Sequence, residues 1–202
     1  MLRPDARLNC ADFPCRDVKH ACYIIPSAEL DAEKMTTVMV SEAPPEDADE
    51  YFYAKNSPFY LETTLQAFND SGFNVSSMRN IMDLGVYITT AVKCSKRAYS
   101  VSPETVENCS RRILERELEL FPKAKNLLLM GDTAIRAVNS IAKRQTGKAI
   151  IPSGPTYKIR KRRYFYKGLR VLPAYLQTGK SYLIEKSKRK MIAEDIKAAL
   201  GR

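Results

Sequence analysis

At 202 residues the chain has the length of one domain, enough to bury a core without disulfide or metal staples. Its 33 Lys and Arg against 23 Asp and Glu leave a net charge of +10, which favours a polyanionic partner, nucleic acid ahead of an anionic membrane. No apolar run is long enough to span a bilayer, and MLRPDARLNC lacks the apolar centre of a signal peptide, so the expectation is a cytoplasmic monomer that meets no membrane. In such a reducing compartment five cysteines serve as metal or cluster ligands, or as buried apolar residues, rather than as disulfides.

Residues 1–30 carry Cys10, Cys15 and Cys22 with little periodicity and read as an arm or short helix held in place from outside. Thr36 to Val40 is β-branched and apolar, which suits a strand buried on both faces of a parallel sheet. Ser41-Glu42-Ala43-Pro44-Pro45 ends it, because proline has no ladder donor and locks φ. Ligands of open α/β sheets bind beyond the carboxyl ends of the strands, so Glu42 is placed for chemistry; the alternative is a plain strand exit with a solvated acid. Glu46 to Glu50 is a polar loop. Ser57-Pro58 opens a helix with Phe59, Leu61, Leu65 and Phe68 that ends near Gly72.

Val86 to Thr90 is a second buried strand, with Ala91-Val92-Lys93-Cys94 leaving its tip. Ser102-Pro103-Glu104 opens the next helix, whose Val106, Cys109, Ile113 and Leu114 share a face as far as about Leu120. Asn126 to Met130 is a third strand, turned by Gly131-Asp132 into a helix bearing Ala134, Ile135, Val138 and Ile141. Tyr157 to Tyr166 reads as a strand of alternating basic and aromatic residues, followed by a Lys167-Gly168 turn and a returning strand, Leu169 to Tyr175. The last helix, about Ser187 to Leu200, places Ile192, Ile196 and Leu200 at i, i+4, i+8 before Gly201. Strands alternating with helices give a mostly parallel α/β sheet covered on both faces, in one domain over residues 1–202.

Cys10 and Cys15 form one pair; Cys94, at a strand tip, and Cys109, in the following helix, form another. Four thiolates from two such pairs could hold an iron–sulfur cluster or zinc and tie the arm to the sheet. Cys109 is equally compatible with an apolar core position, and Cys22 is left over as structural. The stretch from Lys158 to Lys167 has no acids, and its charge interleaved with aromatics fits a phosphate backbone; the alternative is a solvated edge strand.

These motifs together resemble the uracil-DNA glycosylase superfamily, in particular its iron–sulfur family-four enzymes, over most of the chain. The family's G-E-x-P-G motif is similar to Ser41-Glu42-Ala43-Pro44-Pro45, followed by Glu46-Asp47. Its P-F-V-G segment is similar to Pro58-Phe59-Tyr60-Leu61, and its Y-I-T-N-x-V-K-C to Tyr87-Ile88-Thr89-Thr90-Ala91-Val92-Lys93-Cys94. Cys109 follows at the family's distance, and L-G-x-x-A resembles Met130-Gly131-Asp132-Thr133-Ala134. The resemblance implies a three-layer α/β/α sandwich around a mostly parallel four-stranded sheet, and a [4Fe–4S] cluster on Cys10, Cys15, Cys94 and Cys109, with zinc or no metal as alternatives. It also implies release of a flipped base from single- or double-stranded DNA.

In that reading Glu42 stabilises the cationic sugar or orients water, with Asp47 as a second acid. Ala43, Phe59 and Thr90 face the base. The family's His-Pro-Ser motif is replaced by Leu176-Gln177-Thr178, and its asparagine by Thr90, whose one hydroxyl stands where an amide would offer donor and acceptor. Gln177, Thr178 or Lys180 is then the replacement donor. Lys161, Arg163 and Lys186 meet phosphates, while Lys180, Ser181 and Leu183 lie on the segment corresponding to the intercalating loop, Leu183 or Ile184 being the wedge. Loss of the histidine and asparagine supports a second reading, a DNA-binding relative without turnover. A third is a metal-binding protein acting on a small nucleoside.

Overall fold

The computed structural model describes residues 1–55, 58–179, 182, 183 and 185–201. In chain order the strands are β1 (Val18–Lys19), β2 (Thr37–Ser41), β3 (Val86–Thr90), β4 (Ser95–Lys96), β5 (Asn126–Met130), β6 (Tyr164–Tyr166) and β7 (Leu169–Ala174). The helices are α1 (Phe59–Asp70), α2 (Met78–Asp83), α3 (Pro103–Cys109), α4 (Glu115–Leu118), α5 (Asp132–Thr146), α6 (Thr156–Ile159) and α7 (Lys186–Ala199), with a π-helical turn, Ser110–Leu114, joining α3 to α4.

The central sheet runs β3-β2-β5-β7-β6, the first four strands parallel and β6 antiparallel to β7. It therefore has five strands where four are expected. The extra one is the short edge strand β6, and it corrects the reading of Tyr157 to Tyr166 as one strand. Pro155, at φ −66°, starts α6 instead, and Arg160 turns away from the ladder to meet Asp195.

Side chains alternate between the two faces of the sheet, as pleating demands. Val38, Val40, Leu127, Leu129 and Val171 pack with Ala134, Val138 and Ile141 of α5 on one side. Met39, Ile88, Leu128, Met130 and Leu172 pack with Phe68 of α1, Ile81 of α2 and Ile192 and Ile196 of α7 on the other. This is the three-layer arrangement expected. Among the described residues no helix is long and apolar enough to cross a membrane.

Ser102 caps α3 as its sequence signals, its Oγ accepting from the Thr105 N–H at 3.2 Å with Pro103 at the first helical position. At α1 the expected cap, Ser57, lies outside the described residues, and Glu50 Oε2 accepts from the Phe59 N–H at 2.5 Å. The sequence reading passes over α2, although Ser77 Oγ accepts from the Asn80 N–H at 3.2 Å in an ordinary N-cap. The arm is tied down by backbone pairing: Leu2 bridges Leu30, β1 pairs with β4, and the Ile24 N–H donates to the Lys93 carbonyl at 2.8 Å. The Cys22 thiol donates to the Glu46 carbonyl at 3.0 Å.

Arg160 fastens the basic segment to α7, with Nε 2.9 Å from Asp195 Oδ2 and Nη2 2.7 Å from Oδ1, both side chains 8% exposed. Burial holds the Asp195 carboxyl up at about 6 even though Arg160 pulls it down. Arg160→Met is expected to cost about 3–5 kcal/mol by leaving that carboxylate buried and unpaired. The raised folded value gives the sign. Asp195 binds a proton more tightly folded than unfolded, so its penalty is absent at acid pH and grows as pH rises through its folded value. Urea unfolding at about pH 5 and about pH 8 should show the larger loss at the higher pH.

Candidate functional site

Parallel strands put the carboxyl ends of β2, β3, β5 and β7 on one side of the sheet. Past the last register pair, Ser41 with Thr90, the Ala91 N–H donates to the Ser41 carbonyl at 2.8 Å and the Val92 N–H to the Glu42 carbonyl at 3.0 Å. The backbone of Glu42 is thus an extension of the ladder rather than a free loop. Its side chain lies over Gly131, where β5 turns into α5: a Cβ built at Gly131 would sit 2.8 Å from Glu42 Oε1. Lys96 Nζ meets Glu42 Oε2 at 3.1 Å, the two side chains 27% and 19% exposed. Burial pushes the Tyr60 hydroxyl above its ordinary range, and the Glu42 carboxylate pushes it further. The tip therefore holds a carboxylate largely removed from water, ion-paired on one side, with a tyrosine within its field.

The other expected residues divide into those at the tips and those elsewhere. Ala43 is buried beside Glu42, and Phe59 is partly exposed on the first turn of α1. Asp47 is exposed and caps the short helical turn Ala48–Glu50, accepting from the Asp49 N–H at 2.9 Å. Thr90 is fully buried, with Oγ1 lacking a partner. Gln177 is 0% exposed with both amide atoms unpartnered, and Thr178 is buried next to it. Ser41 Oγ and Tyr51 OH are likewise buried without partners. Unsatisfied buried polar groups are costly, and four of these belong to β2, β3 or the segment after β7. Leu176 instead packs against the core between the sheet, α1 and α7.

Lys161 and Arg163 are exposed and precede β6. Because β6 is antiparallel to β7, with Tyr164 opposite Val171 and Tyr166 opposite Leu169, these two cations lie toward the same sheet end as Glu42. Lys186 is exposed at the start of α7 and lines a surface groove with Arg189 and Lys190. Leu183 is 49% exposed. Lys180, Ser181 and Ile184 lie outside the described residues.

Cys10, Cys15, Cys94 and Cys109 line one small cavity of about 20 Å³, together with Tyr23, Lys93 and Arg112. Burial and the neighbouring cysteines push Cys94 up to about 12; burial also pushes Cys109 up to about 12, although Lys93 opposes it. The Lys93 N–H donates to Cys109 Sγ at 3.3 Å. Among the lining residues Arg112 Nε is buried without a partner, and the Tyr23 hydroxyl is buried beside the Cys10 backbone. Among the described residues no three Cys, His, Asp or Glu side chains converge closely enough to hold a single metal ion.

The sequence reading does not single out Lys96 or Glu117, quotes Tyr60 and Lys93 only within motif matches, and takes Gly131 as a turn and a motif glycine without giving it a place at the site. A glycine between a buried strand and a helix is itself a sign of close approach by another group. Lys96 has no such sign, since its partner lies 54 residues away.

A mostly parallel sheet in a three-layer fold thus carries at one end an acid, buried polar groups on the flanking tips and exposed cations. The chain belongs to the Uracil DNA glycosylase superfamily, whose family model matches residues 29–195. Among solved structures it is similar to the wild-type UNG of Nitratifractor salsuginis, at 13% identity and a TM-score of 0.43, over 89% of this chain and 81% of that one. No curated protein matches it.

Proposed function

We propose that the protein is a DNA glycosylase that hydrolyses the N-glycosidic bond of a flipped, deaminated base, closest in type to the iron–sulfur family-four enzymes. The observation that carries this is the Glu42 carboxylate, 19% exposed at the tip of a central parallel strand and seated over Gly131. As the C1′–N bond breaks, its electron pair leaves with the base and positive charge grows on the sugar. A fixed carboxylate in a poorly hydrated site stabilises that charge strongly. Water adds its oxygen to C1′, and its proton passes to solvent or to the departing base. Leu176 offers no donor to the base, so the buried, unpartnered Gln177 amide takes that place, with the Thr90 hydroxyl on β3.

Four cysteines lining one cavity are the donor set that a [4Fe–4S] cluster takes, and we read the site that way rather than as zinc. Tetrahedral zinc draws four sulfurs within about 2.3 Å of one point, whereas these thiols surround a cavity without converging on a single ion. Arg112 Nε is a donor suited to anionic sulfur, and Cys10, Cys15, Cys94 and Cys109 would hold the cluster. When bound it would cross-link the arm to β3 and α3; no step of base release passes through it.

Purified protein incubated with uracil- or hypoxanthine-containing oligonucleotides is expected to yield alkali-labile sites in single- or double-stranded substrate. The position of Leu176 in the core favours one other reading, a DNA-binding relative without turnover. Salt-dependent binding with no base released from a full deaminated-base panel would establish that reading and overturn the first.

A further inference from the structure

Lys93 and Glu117 form an ion pair inside the protein, with Nζ 2.5 Å from Oε2 and side chains 1% and 0% exposed. The ammonium also donates to Thr89 Oγ1 at 2.7 Å and to the Thr90 carbonyl at 2.5 Å, while Glu117 Oε2 stands at ion-pair distance without a hydrogen bond of its own. Glu117 Oε1 accepts from Tyr87 OH at 2.7 Å and from Thr89 Oγ1 at 2.8 Å. Such a pair is a poor source of stability, because desolvating both charges offsets most of their attraction. The base release proposed above assigns it no role.

The pair lies beside the cysteine cavity. The backbone of Lys93 donates to Cys109 Sγ and continues into Cys94, while Glu117 lies eight residues after Cys109 on the same run of helix. In an α-helix eight residues leave two side chains about 80° apart. The π-helical turn Ser110–Leu114 rotates less per residue and brings Glu117 back toward the face of Cys109. Lys93 itself lines the cavity, together with the four cysteines.

We propose that Lys93 and Glu117 are positioning residues of the cysteine site, a fixed charge pair that sets how readily the group held there takes on negative charge. The proposal rests on the cage being a cluster site. The ammonium favours the more anionic, reduced state and the carboxylate opposes it, acting through an interior of low dielectric.

The test is an anaerobic titration of the full chain, reconstituted with iron and sulfide, using dithionite as the one-electron reductant and reading the midpoint potential by visible absorption and electron paramagnetic resonance. Lys93→Met is expected to lower the midpoint, Glu117→Gln to raise it, and Lys93→Arg to restore it toward wild type. A merely structural pair would not give shifts of opposite sign. Midpoints that do not move, or that move together, overturn the proposal. Glu117→Gln keeps the side-chain shape, so it and Lys93→Arg decide the matter if Lys93→Met does not fold. A wild-type chain that gains no visible chromophore overturns the cluster reading itself, and does so before any substitution is made.

Discussion

Glu42→Gln is expected to lower the rate of base release by about 10²–10³, the loss typical when one preorganised electrostatic group is removed from a transition state. The amide keeps the size of the side chain and its place over Gly131, so the pocket changes little in shape. What disappears is the negative charge, and it disappears where positive charge develops on the sugar. An interaction made mainly in the transition state should appear in kcat. Lys96 sharpens the test, because its ammonium loses its partner at 3.1 Å and is free to meet a phosphate. Tighter DNA binding with slower release is therefore the signature of Glu42→Gln. Single-turnover release from a uracil-containing duplex, with affinity measured in parallel by anisotropy, separates the two quantities. An unchanged rate would place the chemistry on another residue.

The strands that position Glu42 were legible because each is a short apolar run closed by residues that cannot extend it. Val86 to Thr90 and Asn126 to Met130 have the expected bounds, and the strand before Glu42 is displaced by one residue, to Thr37–Ser41. Tyr157 to Tyr166 was misread because period-two alternation of charge and aromatics imitates a strand. A long-range contact, Arg160 with Asp195, decides otherwise, and no local pattern encodes it. The same limit applies at the site. An acid after a buried strand announces Glu42, whereas Lys96 reaches it only because β4 pairs with β1. The spacing of Cys10, Cys15, Cys94 and Cys109 suggested one shared site, and all four line one cavity. Nothing in that spacing points to Glu117, which enters through a π-helical turn invisible to a helical period. Gln177 could be named as a replacement donor, but its complete burial without a partner is a property of the folded chain.

Gly131→Ala is expected to reduce base release by about 10², close to the effect of touching Glu42 directly, without altering any group that reacts. Gly131 has φ +93° and ψ 168°, a region essentially closed to side chains, so alanine there costs about 1–3 kcal/mol of strain. The larger consequence is spatial. The new methyl carbon would lie 2.8 Å from Glu42 Oε1, 3.1 Å from Cγ and 3.3 Å from Cδ, so the carboxylate must move or the turn must open. The Glu42 backbone cannot follow, because Val92 holds its carbonyl at 3.0 Å, and the displacement falls on the side chain and on its contact with Lys96. Gly147→Ala supplies the control. Its φ of +76° with ψ −5° is left-handed helical, a milder strain for alanine, and nothing lies within 4 Å of a Cβ there. Both variants should lose stability in urea, Gly131→Ala the more, and only Gly131→Ala should lose activity through the displaced carboxylate. Equal activity in the two would mean that Glu42 does not need its seat over the β5 turn.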